Sequence, residues 1–247
     1  MSKMDVTEDD FLGGIINLKQ PKKGYRITSD TVFLAASLQV KKDESILDVG
    51  AATGGILSCL AARLGDDAAR LKMTGVDIQP DLLSLARENN QSITYIDGDI
   101  MGDIKGCEPN SFDHVVTNPP YYEKGSVTTS PYSSKAIAHG SDMDDLGFWV
   151  QRCLRMVRPK GYLSLVHRAD RLDDIIMALK PKAGSILIYP LFSKAGEDAN
   201  RIIIRAQKGG KGLLSLKSGL IVHKSDGKYT DAAEKILRHA QFLDIEK

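Results

Sequence analysis

The sequence predicts an α/β protein built on one doubly wound, mostly parallel seven-stranded sheet with a terminal antiparallel strand. Three observations favour this fold. Apolar strand-like runs alternate with helical periodicity from residue 45 onward, and the last two strands, 185–191 and 201–206, follow each other without a helix between them. In addition, successive strands end in Asp or Gly, as strands do where open α/β sheets bind ligands.

Length and composition restrict the protein class. The 247 residues suit one large α/β domain, which we divide into an N-terminal extension (1–42) packing on the core and a core domain (43–247). A formal charge of +1 and 42% hydrophobic content favour no particular partner. Three widely spaced cysteines, an acidic start and the lack of a membrane-length apolar run predict a soluble cytoplasmic protein. The histidine and cysteine spacings predict no metal site.

The N-terminal extension holds one polar cluster of interest, within residues 26–36. Ser29 or Asp30 suits the N-cap of a helix running through Leu38. Such a helix start is either a simple cap or a place where free amides hold a carboxylate, for example the amino-acid end of a cofactor. From the residues alone, both interpretations stand.

The first strand of the core, 45–49, leads into a glycine turn and a helix. This order of strand, glycine turn and helix is typical of cofactor-binding α/β domains. A dinucleotide site would have glycine at the third position of the turn, where this chain has Ala52. The extra methyl group hinders close approach of a pyrophosphate, so the turn favours a cofactor without phosphates.

Acidic residues mark the ends of the first three core strands: Asp48, Asp77 and Asp99. A single acid at a strand end is more often a helix cap than a cofactor contact. Three of them at successive strand ends favour a ligand, with Asp77 placed to accept ribose hydroxyls. Ile78 and Ile100, which follow two of these acids, are predicted as apolar walls around an adenine.

The fourth strand, 112–117, ends in Asn118-Pro119-Pro120-Tyr121. The two prolines fix φ and lack a backbone donor, so the turn is stiff and presents carbonyl acceptors. The Asn118 side-chain oxygen and the Pro119 carbonyl can accept both hydrogens of a planar amino group while the Tyr121 ring stacks on the group that carries it. The alternative is a proline-terminated strand edge with a packed tyrosine.

The remaining segments are predicted to be structural, with one exception. Residues 122–140 have no period and lie beside Tyr121, which favours a substrate lid. Trp149 lies on the apolar face of a helix, 145–157, and is interpreted as core. The Lys208–Gly212 turn is interpreted as solvated rather than phosphate-binding, and Thr230 as the cap of the last helix.

Taken together, Asp48-x-Gly50-x-x-x-Gly54, Asp77, Asp99 and Asn118–Tyr121 resemble the S-adenosylmethionine-dependent methyltransferases that modify nitrogen. Three flanking stretches, 26–36, 190–206 and 220–230, narrow the resemblance to the bacterial tRNA1(Val) adenine-37 N6-methyltransferase family. The resemblance implies a Rossmann-like class I methyltransferase fold. It also implies transfer of a methyl group to the exocyclic N6 of an adenine in RNA, with tRNA(Val) favoured.

The same resemblance implies a role for each motif residue. Glycine-turn amides would pack on the methionine part of the cofactor, Asp77 would accept the ribose hydroxyls, and Asp99 would accept the adenine amino group. The implied cofactor-binding residues are Asp30, Thr31, Asp48, Gly50, Ala51, Gly54, Asp77, Ile78, Asp99, Ile100 and Asn118. The implied catalytic residues are Asn118, Pro119 and Tyr121.

Two other functions stay open. A glutamine carboxamide presents the same planar amino group as adenine, so a glutamine-N5 protein methyltransferase is one alternative. A non-catalytic S-adenosylmethionine-binding RNA module is the other, although the intact Asn118 and Tyr121 argue against it. The expected partners are S-adenosylmethionine and RNA, with tRNA favoured and neither a membrane nor a metal. The oligomeric state is left open.

Overall fold

The computed structural model describes residues 5–120 and 145–247. The described helices are α1 Ser29–Ser37, α2 Gly55–Leu64, α3 Pro80–Asn89, α4 Asp145–Met156, α5 Leu172–Leu179 and α6 Asp231–Arg238. The described strands are β1 Val6–Phe11, β2 Ile16–Pro21, β3 Ser45–Val49, β4 Lys72–Asp77, β5 Thr94–Asp97, β6 Phe112–Thr117, β7 Val157–Arg168, β8 Ala183–Phe192, β9 Ala199–Lys208, β10 Ser215–Leu216 and β11 Leu220–Ile221.

The central sheet has the order β10-β8-β9-β7-β6-β3-β4-β5, with β11 also paired to β8. Its neighbouring strands are parallel except at β9, which runs antiparallel to both β7 and β8. The predicted doubly wound, mostly parallel sheet is therefore confirmed. The antiparallel strand comes late in the chain, as predicted, but lies inside the sheet. Beyond the seven strands of the predicted sheet, two short strands of two residues each, β10 and β11, extend its edge. A short strand at 219–223 was predicted and contains β11, whereas β10 was not predicted.

Strand register brings the ends of three strands to one level. Val49 pairs with Val76 on one side and with Thr117 on the other. Because these strands are parallel, the loops that follow them lie side by side at the carboxyl edge of the sheet. Asp77, the glycine turn and Asn118 therefore meet at this edge.

The sheet is covered by apolar side chains on both faces. One core cluster contains Leu34 from α1, Leu57 from α2 and Leu83 from α3, and all three are fully buried. The other contains α4 side chains, among them Trp149 and Leu154. The predicted core-facing stripe of α4 is confirmed. This packing holds the strand ends rigidly in place.

The N-terminal extension contains a hairpin that the sequence did not predict. Strands β1 and β2 pair antiparallel from Val6↔Pro21 to Phe11↔Ile16. The hairpin is tied to the end of α3, where the backbone N of Lys19 donates to Asn89 Oδ1 at 2.7 Å and Asn89 Nδ2 donates back to Lys19 O at 3.0 Å. These bonds support the division into extension and core, which stays a proposal.

The predicted N-cap of α1 is wrong. Thr28 occupies the cap position, and α1 begins at Ser29 without a side-chain cap bond. The Asp30 carboxylate instead accepts from Arg201 Nε at 2.8 Å. The carboxylate that could have capped the helix is therefore bonded to a residue 171 positions later in the chain. By contrast, the predicted cap of α6 is confirmed, since Ala233 N donates to Thr230 Oγ1 at 3.2 Å.

The basic turn that follows β9 is also more ordered than predicted. Lys208 Nζ donates to Asn110 Oδ1 at 2.8 Å and to the carbonyl oxygens of Val157 at 2.7 Å and Arg155 at 3.1 Å. The interpretation of this lysine as merely solvated is therefore wrong. Lys208 ties the end of α4 and the start of β7 to β9, at the edge of the sheet opposite Asn118.

Candidate active site

A cavity of about 420 Å³ opens at the carboxyl edge, at the ends of β3, β4 and β6. Its lining includes five predicted site residues: Gly50, Asp77, Ile78, Ile100 and Asn118. It also includes side chains that the sequence did not assign to a site, among them Tyr25, Gln79, Trp149 and Pro120. The structure thus brings residues from six separate segments to one cavity.

The glycine turn comes directly after β3 and is hydrogen-bonded to the end of β4. The backbone N–H groups of Gly50 and Ala51 both donate to Val76 O, at 2.9 and 3.0 Å. Gly50 has φ +77°, and a Cβ there would lie 3.4 Å from the Trp149 ring. Because its N–H is already used, Gly50 can contact a ligand through its Cα rather than its amide.

Gly54 lies outside the cavity lining. A Cβ at this position would come within 2.2 Å of the Tyr95 hydroxyl. Gly54 also has φ +79°, which disfavours a side chain. Glycine is therefore required here for packing between the turn and β5.

Asp77 is the carboxylate that faces the cavity. It is 7% exposed, and its two oxygens accept from Ala52 N and Gln79 N, both at 2.9 Å. These two bonds fix the plane of the carboxylate, and each oxygen keeps a second lone pair. Asp77 can therefore accept a pair of neighbouring hydroxyls without moving.

Asp48 differs from Asp77 although both end a parallel strand. It is fully buried, outside the lining, and neither oxygen has a hydrogen-bond partner in the described part of the chain. Burial, reinforced by the nearby Asp77 charge, raises the pKa of Asp48 well above its usual range.

The loop after β5 is held from α4. Arg152 Nε donates to Ile100 O at 2.7 Å, and its Nη2 contacts Gly102 O. Asp99 Oδ1 accepts from Met101 N at 2.9 Å, and Asp99 itself lies beside the lining rather than in it. Nothing in the sequence pattern pointed to Arg152, because its partners lie about fifty residues earlier in the chain.

Asn118 reaches the first turn of α1. Its Nδ2 lies 3.5 Å from Oγ1 of Thr31, which is 1% exposed. The carboxamide nitrogen therefore faces Thr31, and the oxygen faces the other way. Pro119 is buried outside the lining. Tyr121 and the predicted lid, 122–140, lie outside the described residues.

Two aromatic side chains complete the cavity wall. Trp149 is 6% exposed, which confirms its place in the core, and its Nε1 donates to Thr117 Oγ1 at 3.0 Å. Thr117 in turn donates to Val49 O at 2.8 Å, so the indole ring is fixed against the glycine turn. Tyr25 lies in the linker before α1, where no sequence signal marked it.

The cavity fits a nucleoside-like ligand without phosphates. Asp77 suits sugar hydroxyls, and Ile78 and Ile100 offer apolar surface for a flat base. Ala52 also lines the cavity, so its methyl group occupies space that a pyrophosphate would need. These features match the adenosyl part of S-adenosylmethionine.

The described residues hold neither a candidate metal cluster nor a membrane-spanning helix. Among residues 5–120 and 145–247, no three or more His, Cys, Asp or Glu side chains are grouped so that they could hold a metal ion. No helix within these ranges has both the length and the apolar character needed to cross a membrane.

Comparison with known proteins agrees with the geometry. A family model described as "Methyltransferase domain" matches residues 40–203. The tRNA1(Val) (adenine(37)-N6)-methyltransferase of Aeromonas hydrophila is 27% identical over 217 residues, covering 83% of this chain and 86% of that protein. The protein of the same name from Shewanella baltica (strain OS195) is 25% identical over 226 residues, covering 87% of this chain and 91% of that protein.

Solved structures share the fold. A predicted O-methyltransferase from Agrobacterium tumefaciens aligns with a TM-score of 0.69 at 22% identity, covering 87% of this chain and 97% of that one. A putative class I S-adenosylmethionine-dependent methyltransferase from Listeria monocytogenes aligns with a TM-score of 0.54 at 18% identity, covering 83% of this chain and 67% of that one. The expected fold and cofactor are thereby confirmed, and the chain belongs to the methyltransferase domain family as an S-adenosylmethionine-dependent methyltransferase.

Proposed function

We propose that this enzyme transfers the methyl group of S-adenosylmethionine to the exocyclic N6 of an adenine in RNA, with tRNA as the favoured substrate. The observation that carries the proposal is the position of Asn118. It lines the cavity with its carboxamide nitrogen toward Thr31, so its oxygen is placed to accept from an amino group. The relatives named as tRNA1(Val) (adenine(37)-N6)-methyltransferases support adenine in tRNA.

The cofactor residues would hold the methyl donor at one edge of the cavity. Asp77 would accept the ribose hydroxyls, Ile78 and Ile100 would flank the adenine, and the Cα of Gly50 would face the rest of the molecule; all four residues line the cavity. Asp30 and Thr31, at the start of α1, would lie toward the amino-acid end. When bound, S-adenosylmethionine supplies an electrophilic methyl group on a positively charged sulfur.

The acceptor residues increase the reactivity of a weak nucleophile. The lone pair of an adenine N6 is delocalised into the ring. Hydrogen bonds from its two hydrogens to Asn118 Oδ1 and the Pro119 carbonyl favour a more tetrahedral nitrogen with a localised lone pair. The C–N bond then forms as the C–S bond breaks, and one N6 proton passes to solvent, so no strong base is required.

Positioning of the two reacting groups accounts for the larger share of the expected rate enhancement. Holding N6 and the methyl carbon in line at about 3–3.5 Å replaces a bimolecular encounter. The target base must first leave its stack, at a cost of a few kcal/mol that is smallest in a single-stranded loop. Stacking on Tyr121 would offset part of this cost by about 1–3 kcal/mol. Tyr121 lies outside the described residues, and its role stays a prediction.

A labelling experiment tests the proposal. The enzyme is incubated with methyl-labelled S-adenosylmethionine and bulk tRNA, ribosomal RNA or a peptide release factor, and each product is digested and identified by mass spectrometry. We expect label in N6-methyladenosine from tRNA. Such an enzyme would act in the cytoplasm. Label in N5-methylglutamine from the release factor instead, with none in adenosine, would overturn the proposal. Asn118→Ala serves as the control.

A further inference from the structure

The glycine turn beside the cofactor cavity has a backbone conformation that needs support from outside. Gly50, Ala52 and Gly54 all have positive φ, at +77°, +47° and +79°. Glycine adopts such values freely, but the Cβ of Ala52 disfavours them. A residue in this conformation persists only where the surrounding structure holds it. Because Gly50 and Ala52 line the cavity, whatever holds the turn also shapes the cofactor site.

Two side chains bond to the backbone of this turn on either side of its strained residue. Asp77 Oδ2 accepts from Ala52 N at 2.9 Å, and Asn89 Nδ2 donates to Thr53 O at 2.9 Å. Asp77 lines the cavity, whereas Asn89 is the last residue of α3 and lies outside the lining. The cofactor site described above uses Asp77 and gives no role to Asn89.

The Asn89 carboxamide uses both of its hydrogens and its oxygen. Nδ2 donates to Thr53 O and, at 3.0 Å, to Lys19 O, while Oδ1 accepts from Lys19 N at 2.7 Å. A carboxamide rotated by 180° would place its oxygen against carbonyl oxygens and its NH₂ group against an N–H group. The three bonds together therefore permit one orientation of Asn89 and connect three segments of the chain.

The N-terminal hairpin is the support on which Asn89 rests. Both backbone groups of Lys19 bond to Asn89, so the carboxamide pairs with the edge of β2 as a neighbouring strand would. The hairpin also contacts the far end of the turn. Gln20 Oε1 accepts from Ile27 N at 2.6 Å, and a Cβ on Gly55 would lie 2.8 Å from Ile27 Cδ1. The hairpin is thus packed against the turn by two routes.

We infer that Asn89 is a positioning residue for S-adenosylmethionine, which ties the glycine turn to the N-terminal hairpin and so holds the turn in its cofactor-binding conformation. The inference concerns the cofactor and is the same for any methyl acceptor. A carboxamide is required because one planar group must supply two donors and one acceptor. A carboxylate has no donor, and a hydroxyl has only one.

Cofactor affinity tests the inference. A turn that leaves its binding conformation weakens binding in proportion to the population that it loses. Asn89→Asp keeps the shape of the side chain and an acceptor for Lys19 N but loses both donors. We expect its Kd for S-adenosylmethionine, measured by calorimetry, to rise about tenfold. Asn89→Ala removes all three bonds without adding a charge and should raise the Kd at least fivefold.

The turnover number separates positioning of the cofactor from general damage. At saturating S-adenosylmethionine, kcat of both Asn89 variants should stay within twofold of the wild type, because Asn118 and the acceptor side of the cavity are unchanged. Loss of cofactor positioning raises the Kd and leaves kcat nearly constant.

Two control variants remove comparable bonds elsewhere. Lys208→Met loses three side-chain bonds at the opposite edge of the sheet, so it should lower the melting temperature and leave the Kd within twofold. Asn17→Ala loses a bond to Asp10 Oδ1 that lies within the hairpin, and it should not change the Kd. These variants separate the effect on the turn from a loss of stability and from damage to the hairpin.

A second readout needs neither cofactor nor acceptor. The amides of Gly50 and Ala51 donate to Val76 O, and that of Ala52 donates to Asp77. Their hydrogen exchange, followed by nuclear magnetic resonance, should be at least fivefold faster in Asn89→Asp than in the wild type. The amides of β7 and β9 should exchange at the wild-type rate.

Four results contradict the inference. They are a Kd within twofold of the wild type in both Asn89 variants, a Kd in Lys208→Met that rises as much as in Asn89→Asp, a kcat that falls as far as the affinity, and unchanged exchange of the turn amides. Failure to methylate adenine would overturn the proposed function instead. The affinity and exchange measurements need no acceptor and would stay valid.

Discussion

The two edges of the central sheet use their polar groups in different ways. At the amino ends of β3 and β6, Asp113 Oδ2 accepts from Ser45 N at 2.9 Å and from Ser45 Oγ at 2.8 Å, and Lys208 Nζ binds three acceptors. At the carboxyl ends, Asp77 and Asn118 each use part of their bonding capacity on the chain and face the cavity. One edge holds the fold together, and the other offers bonds to ligands.

The pKa values follow the same division. At the amino edge, bonds from Ser45 and the charge of Arg158 outweigh the effect of burial and lower the pKa of Asp113. At the carboxyl edge, burial raises the pKa of Asp48. A carboxylate that is charged and bonded stabilises the fold, whereas a buried unpartnered one destabilises it. Burial thus disfavours charge on Asp48 at the carboxyl edge, whereas hydrogen bonds and an ion pair favour it on Asp113 at the amino edge.

The largest expected effect comes from Asp77→Asn. Removal of the charged acceptor weakens two bonds to the ribose, each worth about 1.5–3 kcal/mol. We expect the Kd for S-adenosylmethionine to rise by about a hundredfold, measured by calorimetry. Asp113→Asn is the matched control at the opposite edge and should lower the melting temperature without changing the Kd. Unchanged affinity in folded Asp77→Asn would show that Asp77 only holds the turn.

The next largest effect is a pH dependence of folding stability that arises at the carboxyl edge of the sheet. His167, at the end of β7, is 1% exposed, and burial lowers its pKa to about 4. Since its unfolded pKa is about 6.5, the unfolded chain binds the extra proton, and stability falls as the pH drops from 6.5 toward 4. We expect a loss of about 2 kcal/mol between pH 7 and 4.5.

Urea denaturation at the two pH values measures this loss. His167→Phe should remove most of it, and the exposed His239→Gln should not. Equal pH dependence in His167→Phe and in the wild type would assign the acid sensitivity to other groups.

A smaller effect is expected from Lys208→Met at the opposite edge. The ammonium group loses three acceptors and leaves Val157 O and Arg155 O without this donor, so we expect a loss of about 1–2 kcal/mol in the free energy of unfolding. Cofactor affinity should stay within twofold. The exposed Lys211→Met should change stability by less than about 0.5 kcal/mol. A change in Kd from Lys208→Met would mean that the two edges are coupled.

The smallest expected effect concerns RNA. Exposed Lys22 and Lys23 line a groove that shares Tyr25, Ile78 and Gln79 with the cofactor cavity, and within the described residues neither has a carboxylate partner. Replacing both by Gln should weaken tRNA binding a few-fold at low salt and reduce its salt dependence. Fluorescence anisotropy at two salt concentrations measures this. An equal loss of tRNA binding from Lys211→Gln would place the RNA contact at the opposite edge of the sheet and contradict this prediction.

The sequence predicted the location of the site better than the roles of its residues. Asp77 and Asn118 were predicted correctly to lie at one edge because parallel strands end together. The difference between Asp48 and Asp77 was not predictable, since it depends on the packing around each carboxyl. Arg152 acts through contacts about fifty residues distant in sequence, and the acid-rich strand β1 has no clear apolar alternation, so neither was predictable.

The central claim is that Asn118 acts on the methyl acceptor and not on the cofactor. The direct test measures S-adenosylmethionine affinity by calorimetry and the single-turnover rate of methyl transfer to tRNA, both in Asn118→Ala. The account predicts a Kd within about twofold of the wild type and a transfer rate at least tenfold lower, because the lost bond strengthens as charge develops on nitrogen. A Kd that rises as much as the rate falls, or an unchanged rate, would contradict it.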